Sequence, residues 1–72
     1  MGFEAWQLDL IDEAGYNGVC SEHIARVAEE LRATSLSSID RSTFENACYA
    51  CCIDPDNFTQ SDLEELERAL NE

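Results

Sequence analysis

Residues 58–70 read FTQSDLEELERAL, and this stretch decides the fold class. Thr59 is suited to accept a hydrogen bond from a backbone N–H at a helix start, and Asp62 stands at the third helical position in a variant of the capping box. Phe58 and Leu63 flank that start at the spacing of a hydrophobic staple. Leu63, Leu66 and Leu70 then recur at steps of three and four, giving one apolar edge. The stretch therefore predicts an amphipathic helix with a defined beginning.

Working back from this helix, Asp54-Pro55 marks a turn, because the residue before proline is driven out of helical geometry. Upstream of it, Ser42 and Glu45 fit the capping box S-x-x-E and predict a helix running to about Cys52, with Phe44, Ala47, Cys48 and Cys51 as its stripe. In ATSLSSIDR, residues 33–41, four hydroxyl side chains compete for backbone hydrogen bonds, so this segment reads as a connection held to the core by Leu36 and Ile39. Ser21 is the expected N-cap of another helix, with Glu22 in its first turn and Ile24, Val27, Ala28 and Leu31 along its buried side. A first helix is predicted from Phe3, Trp6, Leu10, Ile11 and Ala14, with Glu4, Gln7, Asp9, Asp12 and Glu13 on the other side and Gly15 suited to its C-cap. GYNGV, residues 15–19, reads as a loop, since no strand-like alternation flanks it. The expectation is an all-α, single-domain bundle of about four short helices over residues 1–72. A chain of this size buries only about 60% of its unfolded surface, so dimerisation would relieve a marginal core, and both monomer and homodimer fit the sequence.

Charge narrows the function classes. The chain carries 16 acids against 4 arginines, a formal charge of −12, and contains no lysine. Phosphate backbones are bound by clustered cations, whereas Arg26, Arg32, Arg41 and Arg68 are scattered, so direct nucleic-acid binding is not expected. Short helices joined by short turns suit a helix-turn-helix reader, but no helix collects basic residues. The acids at 4, 9, 12 and 13 are incompatible with a secretory or basic targeting segment, and no run approaches the roughly 18 apolar residues of a membrane span. A cytoplasmic chain without membrane contact is the expectation.

Three of the four cysteines lie in CYACC, residues 48–52, and Cys20 stands three residues before the one histidine, His23. C-x2-H followed by C-x2-C makes Cys20, His23, Cys48 and Cys51 a candidate zinc set. The same letters fit packing, because Cys48 and Cys51 continue the stripe from Phe44 and Ala47, and the sequence is read as requiring no cofactor. Cys20 is the best-placed thiol for redox chemistry, but no orienting group or oxyanion donor accompanies Cys20 and His23, and an enzyme is not expected. DPDNFTQSDLEE places Asp54, Asp56, Asp62 and Glu65 at the oxygen positions of a calcium loop, yet Phe58 and Thr59 occupy a ligand position and the glycine position. A proline turn followed by a capped helix explains these letters better.

Two acidic groups remain. Asp62, Glu64, Glu65, Glu67 and Glu72 on the last helix, and Glu4, Asp9, Asp12 and Glu13 on the first, are expected to dock on a basic surface of a protein partner. Glu64 and Arg68 stand at the spacing of a helical ion pair. In size and charge the chain resembles small acidic inhibitors of phages and mobile elements, including DNA-mimic and anti-CRISPR proteins. That resemblance implies a non-enzymatic inhibitor of a nucleic-acid-handling complex. The alternatives are a small zinc-stabilised regulatory domain, or a helical domain whose excess acid keeps it hydrated in high salt.

Overall fold

In the computed structural model, which describes residues 3–15 and 17–71, the chain forms four α-helices. They are α1 (Ala5–Ala14), α2 (Ser21–Leu31), α3 (Arg41–Ala50) and α4 (Gln60–Asn71), with short 3-10 turns at Leu36–Ser38 and Pro55–Asn57. There is no strand among the described residues, so the all-α bundle expected from the helical periodicities is the observed architecture.

The predicted start of α4 forms as the sequence indicates. The Asp62 N–H donates to Thr59 Oγ1 at 3.3 Å, and the Thr59 N–H donates to Asp62 Oδ2 at 3.1 Å. Two other helix starts differ from expectation. Cys20, not Ser21, is the N-cap of α2; its carbonyl receives the first amides, from His23 and Ile24, and no side chain caps the helix. At α3 the Ser42–Glu45 box gives way to Asp40, whose carboxylate accepts the Thr43 N–H at 2.9 Å. A charged acceptor makes the stronger bond, and this one holds the Asp40 carboxyl below its ordinary range. Glu45 turns instead to Arg41 Nε at 2.9 Å.

The α3 helix ends at Ala50, before the expected Cys52, because the chain enters the left-handed region at Cys52, φ 59°. There the Cys52 N–H donates to the Tyr49 carbonyl at 3.0 Å and the Ile53 N–H to the Cys48 carbonyl at 2.8 Å. These are the two bonds of a Schellman ending, and buried Ile53 supplies its apolar contact. At the end of α2, Arg32 takes the same left-handed role, φ 52° and ψ 35°. Gly15 ends α1 at φ 59°, as its position in the sequence predicts.

The core is one contiguous cluster drawn from every helix: Leu10, Ile24, Val27, Phe44, Cys48, Leu63 and Leu66 are buried in it together with Leu36, Ile53 and Phe58 from the connections. Phe44 is its centre, 5.5 Å from the Trp6 ring and edge-on to Phe58 at 5.0 Å. An edge-to-face pair such as Phe44–Phe58 adds about 0.5–1.5 kcal/mol beyond burial. The α2 helix packs on α3 and α4, while α1 and α3 meet the Pro55–Asn57 turn. Gln7 lies inside, not on the polar side of α1, at 2% exposure. Its Oε1 accepts the Glu4 N–H at 2.8 Å and its Nε2 donates to the Leu36 carbonyl at 3.3 Å, so burial leaves neither end unmatched.

Left-handed geometry at Arg32 and Cys52 strains side chains that contribute nothing to the core, since both are exposed. Arg32→Gly and Cys52→Gly should each raise stability by about 0.5–1 kcal/mol, the left-handed penalty relieved less the glycine chain entropy. Urea unfolding of the reduced protein measures this as a higher midpoint at unchanged slope.

Candidate interaction surface

The structure divides the acids into those that hold the fold and those that face solvent. Asp62 is half-buried, and its Oδ2 accepts the Val19 N–H at 3.0 Å in addition to its bond from Thr59. Glu67, also half-buried, accepts the Leu36 N–H at 3.1 Å. Both were expected at a partner interface from sequence; both are internal anchors. Glu64 is exposed and receives the Gln60 amide at 3.5 Å, not the Arg68 guanidinium at the i, i+4 spacing. Glu65 is half-buried, and Glu72 lies outside the described residues. On α4, then, only part of the expected acidic face is open.

The ion pairs among the described residues all converge on Arg41. It reaches Glu45 at 2.9 Å, Glu13 at 3.4 Å and Asp56 at 3.8 Å, tying α3 to α1 and to the Pro55–Asn57 turn. The hydrogen bond to Glu45 raises the Arg41 pKa above the ordinary arginine value. Glu13 is thereby engaged in an ion pair within the fold.

A different picture holds for the rest of α1. Glu4, Asp9 and Asp12 are exposed, and Leu8 stands among them at 53% exposure. Leu8 follows Glu4 by four residues and precedes Asp12 by four, so the three share a helix face. This residue was missed from sequence, although its signal was present. Leu8 falls outside the stripe of Phe3, Trp6, Leu10, Ile11 and Ala14, and an apolar side chain out of register is a side chain the core does not use. Tyr49 on α3, 61% exposed, is the other large apolar residue exposed among the described residues. A groove of about 430 Å³ lies between the start of α1, the Leu36–Ser38 turn and the end of α4, lined by Phe3, Gln7, Ser35, Glu64, Glu67 and Arg68. Its lining mixes both charges, unlike the α1 face.

The four candidate zinc ligands do not come together. Among the described residues no group of three or more His, Cys, Asp or Glu side chains is placed to hold a metal ion. The helical phases explain this: Cys48 points into the core with no exposure, Cys51 is half-buried between α2 and α3, and Cys20 and His23 are exposed at the start of α2. The calcium alignment is likewise dissolved, with Asp54 capping the Pro55–Asn57 turn through the Asp56 N–H at 3.0 Å and Asp62 capping α4. Within CYACC, Cys48 is core, Cys51 packs against it, and Tyr49 and Cys52 face solvent.

Comparison of the chain with protein-family models, with curated proteins and with solved structures gives no match.

Burial, with a smaller contribution from the neighbouring Cys51, Glu45 and Asp54 charges, pushes the Cys48 thiol up to about 12 from 9.0. An unfolded chain loses this proton near the ordinary thiol pKa while the folded chain keeps it. The stability from a neutral buried Cys48 is therefore complete below pH 9.0 and is lost as pH rises towards about 12. Cys48→Ala should flatten that alkaline decline, measured as unfolding midpoint against pH for the two proteins.

Proposed function

We propose that the protein is a non-enzymatic, cytoplasmic acidic interaction module that binds a basic surface of a protein partner through the exposed face of α1. The observation that carries the reading is Leu8, a large apolar side chain left in solvent on the helix face it shares with exposed Glu4 and Asp12, next to exposed Asp9. Such a face combines an anchor that can be desolvated in a pocket with carboxylates that steer encounter and fix orientation. The net charge of −12 extends the attraction beyond the contact itself. Carboxylates spaced along a helix also imitate phosphates along a nucleic-acid strand, so the partner surface of this reading is a nucleic-acid-binding groove, and the mode of action is inhibition by occupation. No helix among the described residues is long and apolar enough to cross a membrane.

The partner is identified by capture from the native host with the tagged chain and then measured as a purified protein. Glu4→Arg, Asp9→Arg and Asp12→Arg combined should cut the association rate at least tenfold at low salt and flatten its salt dependence, with short nucleic acid competing for the wild-type site. Leu8→Ala should mainly raise the dissociation rate, by about tenfold for an anchor worth about 1.4 kcal/mol. Unchanged binding by the triple reversal would reject the electrostatic mechanism. A chain that folded only in molar salt would instead assign the acidity to salt adaptation.

A further inference from the structure

Cys20 and His23 attract attention in the sequence and have no part in the α1 face. In the fold they line one open cleft of about 350 Å³ together with Cys52, Ile53, Asp54 and Asn57. The antiparallel run of α2 and α3 brings this about. Leu31 near the end of α2 shares a surface groove with Thr43 near the start of α3, so the beginning of α2 comes level with the turn that follows α3. Residues 20 and 52 thus line the same cleft, and both cysteines are exposed.

The other two cysteines are set apart by the fold. Cys48 is sealed in the core, and burial raises the pKa of Cys51 between α2 and α3. Only the thiolate attacks a disulfide, so exchange selects the accessible pair. Both members of that pair lie just outside a helix. Cys20 is the N-cap of α2 and Cys52 the left-handed residue after α3, so a bridge between them would join two helix ends and interrupt no helix interior.

We propose that Cys20 and Cys52 are a redox pair, converted by a low-molecular-weight disulfide into an intramolecular bridge. One protein thiol gives up its proton, with His23 the base that shares the cleft, and attacks a sulfur of the small disulfide. This forms a mixed disulfide and expels one small thiolate. The second protein thiolate then attacks the protein-side sulfur, forming the Cys20–Cys52 bond and expelling the second small thiolate, which takes up a proton. Two protein thiols are oxidised and one small disulfide is reduced to two thiols. The bridge covalently ties the start of α2 to the corner after α3.

The test treats the reduced, folded chain with oxidised glutathione and reads intact mass and peptide maps, with Cys20→Ser and Cys52→Ser in parallel. Both variants remove exposed thiols and should keep the wild-type helical signal. Expected is a wild-type product lighter by two hydrogens, mapped to Cys20–Cys52, with a higher melting temperature that dithiothreitol reverses. Each variant should stop at a glutathione adduct on its remaining exposed thiol. Glutathione on both thiols without a bridge, a bridge through Cys51 or to a second chain, or no reaction would each overturn the proposal.

Discussion

One carboxylate oxygen, Oδ2 of Asp62, accepts two backbone N–H groups, from Thr59 in its own helix start and from Val19 forty-three positions earlier. Charge-assisted bonds to backbone donors are roughly twice as strong as neutral ones. This one fixes the beginning of α4 against the connection that leads into α2. Glu67 repeats the device five residues on, accepting the Leu36 N–H just beyond α2. The inner acids of α4 therefore clamp the two connections that flank α2. The apolar contact between α2 and α4 has its register set at both ends, and Phe44 and Phe58 close over the result.

That arrangement explains which features were legible in the sequence. Helices and their buried stripes were, because periodicity is local: Thr59 with Asp62 at α4, Gly15 after α1, and Leu63, Leu66 and Leu70 all stand where their spacing puts them, whereas the starts of α2 and α3 fall to Cys20 and Asp40 in place of Ser21 and Ser42. Long-range bonds were not. Nothing local shows that Asp62 also reaches Val19, that Glu67 reaches Leu36, or that Gln7 turns inward to the Leu36 carbonyl. For the same reason C-x2-H and C-x2-C looked like one metal set, although the helices carry the two pairs to different environments. Leu8 was legible only as an omission from its stripe.

The acid excess thus has two physical roles within one small chain. Asp40, Asp62 and Glu67 bind backbone N–H groups that would otherwise lack partners at helix starts and connections, and Glu13, Glu45 and Asp56 gather round Arg41. These six are satisfied within the fold. Asp9 and Asp12 are left facing water beside Leu8, and the exposed Glu4, which is also the N-cap of α1, adds its charge, where mutual repulsion destabilises the compact state slightly and a basic surface would relieve it. The division places the proposed contact on α1 and the structural load on α4.

The measurement that tests this division most directly is urea unfolding of single alanine variants from the two groups at low ionic strength. Loss of the cap and of the bond to Val19 in Asp62→Ala should lower stability by about 1–2 kcal/mol, while Asp9→Ala and Asp12→Ala should stay within about 0.5 kcal/mol of wild type. The opposite pattern, an indifferent Asp62→Ala beside a destabilised Asp12→Ala, would contradict the account.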